Sequence, residues 1–580
     1  MTPTYKVRGS GRQPSSTARF NPFQYNKQGD NMIESQLSPK LAQQAKAGGH
    51  WRNKTLLDFL DEVAPSRLDK VAVTDLNSMT GQATTLSYRQ LLRLSKRIAL
   101  GLAALGVERG DVVSYQLPNW WQFVALHLAC LRIGAVTNPV MPIFRHRELT
   151  FMLGLAESKV MIVPREFRGF DHAAMLREIQ PALPQLKHIF AIGGEDNMSF
   201  EKHFIERRWE QETPNAEQLF AERRLRPDDV LQLLYTSGTT GEPKGALHTS
   251  NTHFANIVEI VKRCGLTAEH VCFMPSPMAH QTGFAIGMEL PLMLGSKIVL
   301  QDTWDAEVAL QRIQDEGVHF MMAATPFLAD LTDHSALDKY DISTLNIFIS
   351  AGAPIPRALV QRATDRLNAH IVSGWGMTEN LLVTTTHIGD SPDKVFDTDG
   401  VPMPGMEIRV VDVVGHVLAT GEEGELQSKG PSNFVGYLKR PALYGMDGEG
   451  WFKTGDLARI DADGYVRITG RAKDIIIRGG ENVPVVEVEQ MLHRHPAIQA
   501  AAVVGVPDAR LGERAVAYVT LKHGHGLTLD QMKHFLEEQR MTKQYWPETL
   551  NILDDLPRTP SGKIQKFRLR EMARGENKAD

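Results

Sequence analysis

Leu-Leu-Tyr-Thr-Ser-Gly-Thr-Thr-Gly-Glu-Pro-Lys-Gly, residues 233–245, runs an apolar strand directly into a hydroxyl- and glycine-rich loop that ends in a lysine. Such a loop is suited to phosphates. Gly238, Gly241 and Gly245 permit positive φ and close backbone approach, so that main-chain N–H groups can reach a ligand. Thr236, Ser237, Thr239 and Thr240 add hydroxyl donors, and Lys244 adds a charge. The spacing is not that of a Walker loop, because Lys244 is followed by Gly245 rather than by the Ser or Thr that carries magnesium in G-x-x-x-x-G-K-S/T.

A chain of 580 residues is too long for one hydrophobic core and divides into domains. Its 42% apolar and 23% charged residues are those of an ordinary globular protein. With a net charge of -4 and no Lys/Arg-rich block, it lacks the basic footprint of a nucleic-acid binder, while small anionic ligands stay compatible. No apolar run approaches the roughly 18 residues of a membrane span, so no integral segment is expected. Cys130, Cys264 and Cys272 form no C-x-x-C pair and read as buried free thiols of a reducing compartment, with a cytoplasmic location. Residues 1–31 stand apart: Lys6, Arg8, Arg12, Arg19 and Lys27 precede the first acidic residue, Asp30, with no apolar core for a secretory signal. An organellar transit segment would share this charge bias. The lack of helical periodicity favours a disordered extension, or a biological start at Met32.

From Trp51 to residue 460, helices alternate with short apolar runs. Leu91, Leu94, Ile98, Leu102 and Leu105 recur at helical spacing, and residues 112–115, 160–163, 298–300 and 347–350 are candidate strands. This alternation predicts parallel sheets covered by helices on both faces, with ligands at the carboxyl ends of strands, where the loops after Leu234 and Ile349 lie. Near residue 457 the pattern changes to two short strands about an Asp-Gly turn, followed by Gly470-Arg471-Ala472-Lys473 as a boundary. Beyond it, a strand at 475–477, a helix carrying Val488, Met491 and Leu492, strands at 500–506 and 516–521, and a helix opened by the capping box Thr528 to Gln531 predict a small α+β domain.

Further segments follow the loop in order: Gly374-Trp375-Gly376-Met377-Thr378-Glu379, Trp451-Phe452-Lys453-Thr454-Gly455-Asp456, Gly470-Arg471-Ala472-Lys473-Asp474 with Arg478-Gly479-Gly480-Glu481-Asn482, and Pro557-Arg558-Thr559-Pro560-Ser561-Gly562-Lys563. Together, from about residue 50 to 570, they resemble the adenylate-forming superfamily of acyl-CoA synthetases, luciferases and peptide-synthetase adenylation domains. The resemblance implies an α/β fold: a large N-terminal domain of two doubly wound sheets plus a small β-barrel, with a smaller mobile α+β C-terminal domain. The domains would be an extension at 1–49, an AMP-binding domain at 50–472 and a lid at 473–580. Its implied activity is ATP-dependent carboxylate:CoA ligation through an acyl-adenylate, with ATP, Mg2+ and coenzyme A.

Carried over position by position, the resemblance makes Lys563 the charge that lets a carboxylate approach the α-phosphate, a step that joins two anions. It makes Glu379 the magnesium ligand and Thr378 a phosphate contact. Asp456 would accept hydrogen bonds from both ribose hydroxyls, with Arg471 beside that sugar, and Gly352, Ala353 and Pro354 would line the nucleotide. Trp375 replaces a tyrosine common in the family, and its indole can still stack on adenine. Gly376 stands where acetate-activating relatives close the acyl pocket with tryptophan, so it is expected to leave room for a larger acyl group. His280 resembles the aromatic or histidine position that moves over the acyl pocket; a hydrogen-bonded structural histidine is the alternative. Lys473 would be the hinge for domain rotation, and Gly479 and Gly480 would line the tunnel for the thiol. Pro484, where many relatives have proline one position later, leaves the start of the next helix open.

Phe284, Met288, Ala323 and Phe327 are candidate pocket liners, and no aspartate stands beside His280 such as amino-acid-activating domains use. The expected acid is therefore medium-chain or alicyclic, with cyclohexanecarboxylate the best single guess and fatty or aromatic acids as alternatives. A carrier domain and a G-x-S-x-G elbow are both missing from the sequence, which disfavours a peptide-synthetase module and a hydrolase. A luciferase-like oxidative user and a catalytically inactive nucleotide-binding homologue are the remaining rivals. A homodimer, and a lysine acetyltransferase acting on Lys563, complete the expected partners.

Overall fold

The computed structural model describes residues 33–236, 243–352, 355–474, 476–478, 481–508, 512–539, 541, 543–559 and 562–575. The expected disordered segment, residues 1–31, lies outside them. Residues 33–49 are built onto the large domain: Pro39–Ala47 is a helix capped by the Ser38 side chain, and Gln36 donates its side-chain amide to the Tyr437 carbonyl at 2.8 Å.

The large domain holds two sheets with parallel centres. In the nine-stranded sheet, Cys272–Met274, Phe320–Ala323, Ile347–Ser350 and His370–Met377 run parallel, and antiparallel strands close the two edges at Gln82–Ser87 and at Leu381–Thr385 with Val401–Pro402. In the six-stranded sheet, Val136–Pro139, Val112–Tyr115, Val160–Pro164 and His188–Ile192 are parallel, and Val230–Thr236 turns back into Lys244–Thr249 at one edge. Strands covered on both faces must be apolar along their whole length. Val112–Tyr115 and Val160–Pro164 are accordingly buried at every position. The helix Trp121–Ile133 is apolar nearly all round because it lies between the sheets, touching a strand of each. The periodic leucines fall on Tyr88–Ala104, opened by a capping box between Ser87 and Gln90.

Next comes a four-stranded antiparallel sheet, Glu407–Val411, Gly424–Lys429, Phe452–Ile460 and Val466–Arg471. The last part has its own apolar core beneath a five-stranded sheet, in which Ile498–Asp508 pairs antiparallel with Gly512–Leu521. Pro484 resolves the open helix start: it is the N-cap of Val485–His493, where a proline needs no N–H partner. Cys130, Cys264 and Cys272 are buried and free, and burial pushes each thiol up. Among the described residues, no helix is long and apolar enough to cross a membrane.

Candidate active site

The phosphate-loop candidate sits at the end of an antiparallel pair in which Thr236 faces Lys244. Ser237, Gly238, Thr239 and Thr240 lie outside the described residues, as do Ala353 and Pro354. Gly352 follows the strand Ile347–Ser350 with φ +86°, a conformation that glycine adopts without strain. Lys244, from the six-stranded sheet, places its ammonium 4.7 Å from the ring centre of Tyr437. The Tyr437 hydroxyl donates to Glu379 Oε1 at 2.7 Å. Glu379 is buried and comes from the turn after His370–Met377, so this phenol joins the ends of both large sheets. Burial, then the nearby carboxylate, push the Tyr437 phenol up and keep it a donor. Behind it, His248 Nε2 donates to the Thr378 carbonyl at 2.7 Å; burial holds this imidazole well below its usual range, hence neutral.

Asp456 and Arg471 are opposite each other across the hairpin of Phe452–Ile460 and Val466–Arg471, with Arg471 Nε 2.9 Å from Asp456 Oδ1. Trp375 Nε1 donates to Asp456 Oδ2 at 2.8 Å. The Asp456 carboxylate thus has side-chain partners from two sheets.

Gly376 requires a correction. A Cβ there would stand 1.8 Å from the Leu381 carbonyl oxygen and 2.9 Å from Leu382 Cα. The missing side chain faces the neighbouring strand and not open acyl space. The register shift between Trp375 and Gly376 and the left-handed φ of Leu381, 57°, draw the two backbones together, and only glycine fits.

The segment 558–563 closes on itself: Thr559 N–H donates to the Lys563 carbonyl at 2.7 Å, Gly562 N–H to the Thr559 carbonyl at 2.8 Å, and Lys563 N–H to Thr559 Oγ1 at 3.0 Å. Gly562, at φ +81°, rests on the large domain, where an added Cβ would be 3.1 Å from Pro326 Cγ. This contact brings Lys563 to His280. Burial and then the Lys563 charge depress the His280 imidazole to about 4, so it is neutral near pH 7. His280 is half-buried, and its Nδ1 accepts from Thr282 N–H at 3.4 Å. Phe284 and Met288, on the π-helical segment Thr282–Glu289, and Ala323 and Phe327, at Phe320–Ala323 and Thr325–Thr332, are all buried. Lys473 belongs to a one-turn 3-10 helix, Ala472–Asp474, between the large domain and the last one. Gly479 and Gly480 lie outside the described residues.

A family model for AMP-binding enzymes matches residues 60–438, and one for the AMP-binding enzyme C-terminal domain matches residues 487–563. The chain belongs to the AMP-binding enzyme family. It is 36% identical over 526 residues to the medium-chain fatty-acid–CoA ligase of Escherichia coli K12, covering 90% of this chain and 91% of that protein. With those relatives it is an AMP-forming acyl-CoA synthetase. Its fold is similar to that of the anthranilate CoA ligase AuaEII in complex with anthranoyl-AMP, at 25% identity and a TM-score of 0.78, over 90% of this chain and 97% of that one. Against ATP-bound MatB from Rhodopseudomonas palustris, 26% identical, the TM-score is 0.77 over 91% of this chain and all of that one; against the apo form of MatB it is 0.67. The parts of this synthetase are therefore arranged more nearly as in the ATP-bound form.

Several residues around the synthetase site escaped the sequence reading. Tyr437 carries no motif; its segment reaches the site by pairing with Lys244–Thr249, Leu247 N–H donating to the Gly436 carbonyl at 2.9 Å. Glu289, fully buried, holds His253 Nδ1 at 2.6 Å and His127 Nε2 at 3.2 Å, and Gln281 Nε2 meets His253 Nε2 at 2.9 Å. Burial raises the Glu289 carboxyl and takes His253 down to about 3, in a hydrogen-bonded layer beneath the His280 segment. A cluster of His and Glu on separate helices gives no local sequence signal for this contact.

Proposed function

We propose that this synthetase activates a medium-chain or alicyclic acid, cyclohexanecarboxylate being the best single candidate, and that one site serves both half-reactions. The approach of Lys563 to His280, across two domains, is the observation that supports this reading most. A carboxylate attacking the α-phosphorus forms the acyl-adenylate and releases pyrophosphate. The Lys563 ammonium offsets the charge of the two approaching anions, while Lys244 meets the phosphates and Asp456 with Arg471 hold the ribose. Neutral His280, with Phe284 and Met288 nearby, presents no charge to an apolar acyl chain.

The donor set fits Mg2+, which takes one or two carboxylates together with substrate phosphates. Tyr437 occupies Glu379 Oε1, and Oε2 remains as a hard oxygen donor. Glu379 would hold the ion and Thr378 would contact the phosphates; when bound, the ion would supply neutralisation of phosphate charge. In the second half-reaction the last domain turns about Lys473, and the coenzyme A sulfur attacks the acyl carbon as AMP leaves, with Gly479 and Gly480 admitting the thiol. Acetylation of Lys563, which is exposed, would remove its charge and stop adenylation, so a lysine acetyltransferase is the regulatory partner of this reading. Buried free thiols fit a cytoplasmic setting.

Retention of Lys244, Glu379, Asp456, Arg471 and Lys563 disfavours an inactive homologue. An aromatic acid is the second reading, favoured by the likeness to the anthranilate ligase. Pyrophosphate release measured across linear acids from acetate to dodecanoate, alicyclic acids and benzoates decides between them. The expected optimum lies at hexanoate to decanoate or at cyclohexanecarboxylate; an optimum at acetate or at a benzoate overturns the proposal.

A further inference from the structure

We propose that the indole N–H of Trp375 fixes the carboxylate of Asp456 for the ribose diol, so that Trp375 is a positioning residue for ATP as well as an aromatic surface. The inference rests on Asp456 being the ribose acceptor. A carboxylate is acceptor-only, with two lone-pair positions on each oxygen. In Asp456, Trp375 Nε1 donates to Oδ2 at 2.8 Å, and the Arg471 guanidinium is ion-paired with Oδ1, its Nε lying 2.9 Å away. Each oxygen keeps an acceptor position that two adjacent hydroxyls can use.

The two partners reach Asp456 from different directions. Arg471 is its cross-strand partner, whereas Trp375 comes from the nine-stranded sheet, 81 residues earlier in the chain. The directional indole hydrogen bond sets the rotation of the carboxylate about its Cβ–Cγ bond, which an ion pair alone leaves loosely defined. A second carboxylate bears on the site: Asp399, fully buried and ion-paired with Arg467, lies close enough for the Asp456 charge to add to the rise that burial gives its carboxyl. Asp456 itself is 3% exposed, so water does not replace a lost donor easily. Phenylalanine offers no donor, and the tyrosine common in the family carries its hydroxyl at the far end of the ring rather than on the edge that meets Oδ2.

The test is pyrophosphate release at saturating acid, with ATP and with 2′-deoxy-ATP, for wild type, Trp375→Phe, Trp375→Tyr, Asp456→Asn and the double variant Trp375→Phe/Asp456→Asn. Both Trp375 variants keep an aromatic ring in place. Each is expected to raise KM for ATP about tenfold, the effect of one lost hydrogen bond to a charged group. The kcat and the KM for the acid should change little, and the preference for ATP over 2′-deoxy-ATP should shrink. The double variant should lose no more than Asp456→Asn alone, since Trp375 acts through Asp456. An unchanged ATP KM and ribose preference in either Trp375 variant, with Asp456→Asn losing both, overturns the inference alone; so does an additive double variant. If Asp456→Asn keeps the ribose preference, the ribose reading of Asp456 falls and takes the inference with it.

Discussion

The proposed ribose site and the Lys563 loop are built in opposite ways. Asp456 is buried and held by an indole N–H from one sheet and an ion pair within another, both in the large domain. Lys563 is exposed, on a turn held by its own backbone and resting on Pro326 through the faces of a glycine. In the proposed function, a nucleotide that stays through two reactions is served by fixed, paired groups, whose loss from a buried position would be expensive. A charge needed in only one of them is served by a light contact that can part. Hinge closure over a fixed site is the general form of this division of labour.

The comparison is broken most strongly at the hinge. Lys473 lies on a 3-10 turn, where φ is about -50 to -70°, and proline fixes φ near about -65°. Lys473→Pro should therefore lock the present arrangement: a burst of acyl-adenylate and pyrophosphate, with thioester formation reduced about a hundredfold or more, an order-of-magnitude expectation for losing a required closure. Rapid-quench measurement of both products checks this, and equal slowing of the two would discard rotation as the coupling step. A smaller effect sharpens the fixed half of the comparison. Tyr437→Phe removes the donor to buried Glu379 Oε1, and adenylation should fall about tenfold, with thioester formation from supplied acyl-adenylate unchanged. A fall of equal size in both half-reactions would mean that the phenol only packs.

Much of this division was legible in the sequence because the motifs are contiguous. The motifs at 236–245, 374–379 and 558–563 are each contiguous in the sequence, and the Asp456–Arg471 pair follows from a single hairpin. What stayed hidden depends on register between distant segments. Tyr437 meets Glu379 across 58 residues, and Trp375 meets Asp456 across 81. Gly376 was misread for the same reason: the emptiness left by a missing side chain has no direction in a sequence, and here it points at the Leu381 carbonyl. The alternation of helices with fully apolar runs, by contrast, announced parallel sheets without any long-range knowledge.

The most direct test of the central claim, that Lys563 serves adenylation and then leaves, is the Lys563→Ala variant assayed in both half-reactions separately. Pyrophosphate release from ATP and acid should be lost by about a thousandfold, the scale of removing one charge from a transition state of phosphoryl transfer. Conversion of supplied acyl-adenylate and coenzyme A into thioester should proceed at close to the wild-type rate. Adenylation at near wild-type rate, or loss of both half-reactions together, would contradict the account.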